Sequence, residues 1–173
     1  PNPWYYGIGV PCNNQISYAA SFGPTTLEMI EQHHVGALVK AGIENICGIT
    51  VRDQNSADIV KHFSGRDVPI VCDPVLLHDF SKFFSKERIE RFKQVHPEKY
   101  CIVYSYDYNM NDETTVSCIQ KYAAKRGLKI YSLGYFHKWC DENPNVSPLE
   151  LFLWFRCADI VFTDTFHGTV ISL

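Results

Sequence analysis

Residues 163–169 read Thr-Asp-Thr-Phe-His-Gly-Thr and directly follow a short apolar run, Ile160 to Phe162. Such a pattern marks a buried strand turning into a helix. A helix start presents backbone N–H groups and the positive end of the helix dipole, so it attracts anions. Gly168 would let a ligand approach the backbone closely. His167 can hold or donate a proton near neutral pH, and the hydroxyls of Thr163, Thr165 and Thr169 add donors. The chemistry this points to is anion binding beside a proton-transfer group. The same residues also fit a plain strand-to-helix turn with a capping Asp or Thr and a structural His.

A second candidate is Arg52, which ends the apolar run Ile46 to Val51 and precedes Asp53. Its planar fork of donors matches a carboxylate or phosphate; an ion pair with Asp53, Asp73 or another nearby acid is the simpler alternative. Asp73-Pro74 stops a strand and starts a turn. Asp164 could orient His167 or cap the helix that follows. Tyr104, Tyr106 and Tyr108 alternate and would share one face of a strand, where a sugar ring could stack or a core could form. Ser17, Ser21 and Gly23 could bind a hydroxyl or a phosphate. No P-loop and no GxGxxG occurs, and spacing supports no Ser–His–Asp set.

The elements that must carry these residues alternate along the chain. Apolar runs predict strands at 16–22, 46–51, 68–72, 100–106, 128–133 and 160–163. Helical spacing predicts helices over 27–40, from Ser56, over 85–95 and over 113–126, the last ended by Gly127. Ser147, Pro148 and Glu150 form a capping box that opens a further helix. His33 and His34 fall on the side of the 27–40 helix and receive no chemistry. Alternating strands and helices predict an α/β fold, a parallel sheet with helices on both faces. In such a sheet ligands bind outside the carboxyl ends of the strands. Arg52, Asp73, the loops after Tyr106 and Leu133, and residues 164–167 would then lie on one rim.

Composition bounds the rest. The chain has 173 residues, 46% of them apolar and 20% charged, which fits a globular domain. A net charge of −3 gives no basic field for nucleic acid. No apolar run reaches the about 18 residues of a membrane helix, and the first residues lack a signal peptide's pattern. Seven scattered cysteines predict reduced, buried thiols rather than a disulfide framework or a metal set. Residues 1–15, rich in Pro, Gly and Asn, read as a linker or the remnant of a preceding domain, with Trp4, Tyr5 and Tyr6 as anchors. Pro1 in place of Met reads as a trimmed chain.

Taken together, ISYAASFG (16–23), ITVRDQNS (49–56), VCDPVLL (71–77), CIVYSY (101–106) and SPLELFLWFRCADIVFTDTFHGTVISL (147–173) resemble the polysaccharide pyruvyl transferase family. The resemblance implies the Rossmann-like half of a GT-B-like, two-domain fold. It implies transfer of pyruvate from phosphoenolpyruvate to two hydroxyls of a sugar, as a cyclic ketal, in surface-polysaccharide synthesis. Arg52 and His167 are implied at the phosphoenolpyruvate site as catalytic residues. Ser21, Thr165, Phe166, Gly168 and Thr169 are assigned to substrate binding. Phosphoenolpyruvate is the donor substrate and no cofactor or metal is expected. A sugar or oligosaccharide acceptor, lipid-linked or free, and a cytoplasmic site at the inner face of the membrane complete the expectation.

The sequence departs from the family pattern in having Thr165 where Ser is usual and Asp53 where Glu is usual. Family members also carry a further N-terminal α/β domain and continue past the His–Gly motif. Residues 16–173 are therefore expected to be one Rossmann-like domain cut short at its C-terminus, its activity alone in question. Two other functions fit the same features. A GT-B-like glycosyltransferase would take a nucleotide sugar at the His167 turn, and a glycan- or phosphosugar-binding domain would bind without turnover.

Overall fold

A computed structural model describes residues 3–173; Pro1, Asn2 and the side chains of Pro3, Trp4 and Phe83 lie outside the described residues. The chain sorts into two compact units, one ending at Leu77 and one running from His78 to Leu173.

In the first unit a 3-10 turn at Pro3–Tyr6 is followed by β1 (Ile16–Ala20), α1 (Leu27–Gln32), α2 (Gly36–Glu44), β2 (Gly48–Val51) and α3 (Gln54–Ser64). β1 and β2 pair in parallel, Ile16 opposite Gly48 and Ala20 opposite Val51. That register leaves β1 one residue longer. Ala19 absorbs the excess with a φ of 51°, and its N–H donates to the Thr50 hydroxyl at 2.9 Å. The unit's core is Ile30, Val39, Ile43, Val51, Ile59 and Val60, with Phe22, Leu27, Val35 and Phe63 packed against it. Arg66 reaches back to donate to the carbonyls of Ile43 and Ile46.

Two expectations need correction here. The apolar spacing over 27–40 is carried by two helices, not one. His34 takes a left-handed φ of 53°, the Val35 amide bonds the Ile30 carbonyl and the His34 amide bonds the Glu31 carbonyl. This is a Schellman ending with an apolar Val35–Ile30 pair, which the spacing alone conceals. His33 and His34 thus lie in the connection. Segment 68–72 is not a strand either. It makes one bridge, Ile70 to Val51, because Pro69 has no amide to continue a ladder.

The second unit contains α4 (Lys86–Val95), β3 (Tyr100–Tyr104), α5 (Glu113–Arg126), β4 (Lys129–Ser132), α6 (Pro148–Cys157), β5 (Ile160–Thr163) and α7 (Phe166–Ser172). The strands form a parallel sheet in the order β4-β3-β5. β3 is central and its residues alternate between two cores. Cys101 and Val103 join Ile119 and Ala123 of α5 on one face. Tyr100 and Ile102 join Trp154 and Phe155 of α6 on the other, with Phe92 of α4 against them. Helices therefore cover both faces, as the alternation required. Rings of Tyr100, Tyr131, Phe92 and His96 surround Trp154, and the Tyr100 hydroxyl donates to the Trp154 carbonyl.

The fold is α/β with only parallel pairing, as expected, but the strands form two sheets where one was expected. The first sheet ends at β2 because the next segment carries Pro69. The capping box of Ser147 and Glu150 and the Gly127 cap both form. All seven cysteines are free thiols. Only Cys101 and Cys140 are buried, however, while Cys12, Cys47, Cys72 and Cys118 are exposed. Cys118 occupies a solvent-facing position of α5, and the other three lie outside helices and strands.

Candidate active site

The helix after β5 begins at Phe166, so His167 and Gly168 lie within its first turn. Thr165 is the N-cap; its hydroxyl accepts the Gly168 N–H at 2.9 Å. The Thr165 N–H donates to the Thr163 hydroxyl at 3.1 Å, which in turn donates to the Tyr104 carbonyl at 2.7 Å. The Thr169 hydroxyl donates to the Thr165 carbonyl. These three hydroxyls, read from sequence as ligand donors, are the internal struts of the turn.

Gly168 has a similar role. A Cβ there would stand 2.1 Å from the Thr163 oxygen, 2.7 Å from the Thr165 oxygen and 2.8 Å from a ring carbon of Tyr104. The close approach that requires glycine is made by the protein's own side chains. Gly134, after β4, faces the same Tyr104 ring. Burial raises the Tyr104 hydroxyl pKa, helped by nearby Tyr135 and Tyr106, so this group stays protonated at neutral pH. His167 is exposed, with its ring edge-to-face against Phe166 at 5.3 Å.

Asp164 is not the cap. Its carboxylate accepts from the buried Ser105 hydroxyl at 2.7 Å and from the Asn109 amide at 2.6 Å. The loop after β3 is thereby tied to the turn after β5. Asn109 also meets a second histidine. His137 is fully buried, its Nδ1 lies 2.8 Å from the Ser132 hydroxyl and its Nε2 3.3 Å from the Asn109 carbonyl. The available signals for these two were weak: a Ser after strand β3 and an Asn in a polar loop.

In the first unit Arg52 directly follows β2. Its Nη1 donates to the Asp73 carboxylate at 2.6 Å, the arginine partly exposed and the aspartate 6% exposed by side chain. The ion pair weighed in the sequence is therefore present. Asp73 also caps the turn at Pro74–Leu76 through the Val75 amide. Asp53 caps α3 through the Ser56 amide, where Ser56 had been expected to open the helix. Burial works to raise the Asp53 pKa. Hydrogen bonds from Ser21 and from the backbone and side chain of Ser56, with the Arg52 charge, outweigh it and hold the carboxyl below its usual value. Ser21 additionally accepts the Gly23 amide at 2.9 Å, so its hydroxyl serves the loop between β1 and α1.

A family model described as polysaccharide pyruvyl transferase matches residues 5–173. The chain belongs to that family. The match takes in β1, the Arg52–Asp73 pair and the whole rim around His167. No curated protein and no solved structure matches the chain. Membership of the polysaccharide pyruvyl transferase family indicates a transferase of pyruvyl groups acting in polysaccharide biosynthesis. No helix among the described residues is long and apolar enough to cross a membrane.

Proposed function

We propose that the protein takes pyruvate from phosphoenolpyruvate and fixes it on two hydroxyls of one sugar as a cyclic ketal. The observation that carries this reading is the family match over 5–173. The exposed His167 at the carboxyl end of the second unit's sheet supports it, because that end is where parallel α/β sheets take ligands. The steps follow from the donor's bonding. A proton reaches the methylene carbon, and a sugar hydroxyl adds to the carbon that bears phosphate and carboxylate. Phosphate then leaves as the second hydroxyl closes the ring. One phosphoenolpyruvate and one diol give one ketal and one phosphate.

In this reading His167 transfers the proton or holds the departing phosphate, both roles that an imidazole fills in general acid catalysis. Arg52 neutralises charge on the donor, working from an ion pair with Asp73 that fixes its direction. Thr165, Gly168 and Thr169 shape the His167 turn from within. Phe166 and Ser21 are retained as substrate contacts, and no cofactor is required. The acceptor is a surface-polysaccharide repeat or its lipid-linked precursor, met at the cytoplasmic face of the membrane.

The test supplies phosphoenolpyruvate labelled in its methylene carbon together with an oligosaccharide bearing adjacent free hydroxyls. Phosphate release and labelled ketal in equal amounts are expected. His167→Gln should lower the rate about 10²–10⁴-fold, the usual worth of a general acid. Turnover of a nucleotide sugar in place of phosphoenolpyruvate would overturn the proposal and favour a glycosyltransferase.

A further inference from the structure

Five exposed aromatic rings stand on the loops that leave the carboxyl ends of β3, β4 and β5. They are Tyr106 and Tyr108 after β3, Tyr135 and Phe136 after β4, and Phe166 after β5. Tyr106 and Tyr108 are parallel to within 3°, with centroids 5.5 Å apart. Tyr135 meets Tyr106 edge-on at 5.1 Å. Tyr108 is 75% exposed, so most of its side chain meets solvent. Apolar surface left bare at the ligand-binding end of a sheet calls for an occupant.

The loop that carries these tyrosines is fixed rather than loose. The Asn109 N–H closes a turn onto the Tyr106 carbonyl at 3.0 Å. The Asn109 side chain bonds Asp164, the Asn111 side chain bonds the Asp107 carbonyl, and the Trp139 indole donates to Asn111. A platform held in place before binding loses little entropy when a ligand arrives. Its charge narrows the ligand class. Residues 105–112 hold Asp107 and Asp112 and no lysine or arginine, residues 133–138 hold one lysine, Lys138, and Asp164 adds a third carboxylate. Aromatic faces beside carboxylates suit a neutral polyhydroxylated ring, whose C–H face stacks while its hydroxyls donate to the acids.

We propose that Tyr106, Tyr108 and Tyr135 form the platform on which the acceptor saccharide stacks, beside His167. The inference rests on the pyruvyl-transfer reading for the word acceptor, and on the platform's own geometry for the saccharide. Tyr108 is the positioning ring: it holds the sugar and takes no part in bond making.

Saturation-transfer NMR on the parent protein, with methyl glycosides of neutral hexoses and no donor present, tests the platform by itself. Signal from ring C–H protons of at least one glycoside is expected. Tyr108→Ala should weaken that binding at least tenfold, while Tyr108→Phe retains it and unfolding temperatures stay unchanged. Absence of binding by any neutral glycoside, equal binding by Tyr108→Ala, or binding of uridine and adenosine diphosphates alone would each overturn the platform. The transfer assay separates the two readings. If ketal forms and Tyr108→Ala leaves the acceptor KM unchanged, the platform fails while the proposed function stands. If glycosides bind through Tyr108 but no ketal forms from phosphoenolpyruvate, the platform stands and the proposed function fails.

Discussion

The carboxyl end of β2 and the carboxyl ends of β3 and β5 are built from opposite materials. At β2 an arginine is held by a buried aspartate that also caps a turn. At β3 and β5 the turn is held by neutral hydroxyls, a glycine and an Asn–Asp contact, with rings and a histidine left facing solvent. The first arrangement fixes a charge in one direction. The second leaves its titratable group exposed and uses its threonines to shape the backbone. A residue type that suggests ligand binding in sequence can thus be a structural strut, and only the partner decides which.

Perturbations of the two ends should differ in size. The largest effect is expected for Asp73→Ala, which strips a partly buried guanidinium of its partner and a turn of its cap. Removing one member of a fully buried pair costs about 3–5 kcal/mol; the partial exposure of Arg52 reduces this to about 2–4 kcal/mol. Urea unfolding measures it. A loss below about 1 kcal/mol would mean that the Arg52–Asp73 pair is not what anchors this end.

Gly168→Ala comes next. Its Cβ would fall within 3 Å of two hydroxyls and the Tyr104 ring, and such overpacking costs about 1–3 kcal/mol. Gly127→Ala has open space around its Cβ but a left-handed φ, so comparing the two separates packing from backbone strain. A smaller loss, about 1 kcal/mol, is expected for Ser105→Ala, which removes one hydrogen bond to Asp164.

The smallest effect is the pH dependence that Asp53 contributes. The Asp53 carboxyl is depressed in the folded state, so its contribution is complete above its unfolded pKa of about 4. That stability is lost as pH falls further, through the folded value. Asp53→Asn should flatten the acid limb of the stability curve below about pH 4. An unchanged limb would show that the contacts from Ser21, Ser56 and Arg52 are not formed in solution.

These outcomes also bear on what the sequence could disclose. Helix ends were legible where the capping residue itself marks them, the Ser147 hydroxyl and the left-handed Gly127, because the signal is local. The ending of α1 was not, since His34 takes a conformation usually given to glycine while the apolar spacing continues across it. The α/β class followed from alternation, but the loss of segment 68–72 as a strand turned on the single missing amide of Pro69. At the rim, His167 was legible from its neighbours. Ser105, Asn109 and the Tyr135 ring were not, because Ser105 and Asn109 reach Asp164 from 59 and 55 positions away and Tyr135 meets Tyr106 only through the order of β3, β4 and β5. Long-range pairing of this kind leaves no spacing to read.

Thermal unfolding with and without phosphoenolpyruvate tests the central claim, that the His167 turn serves the donor, most directly. A ligand that binds only the folded state adds about 2.7 kcal/mol at a hundredfold excess over its dissociation constant. The account predicts a rise in unfolding temperature with phosphoenolpyruvate that exceeds the rise with inorganic phosphate and is lost in His167→Ala. An equal rise in His167→Ala, or a rise only with a nucleotide sugar, would contradict it.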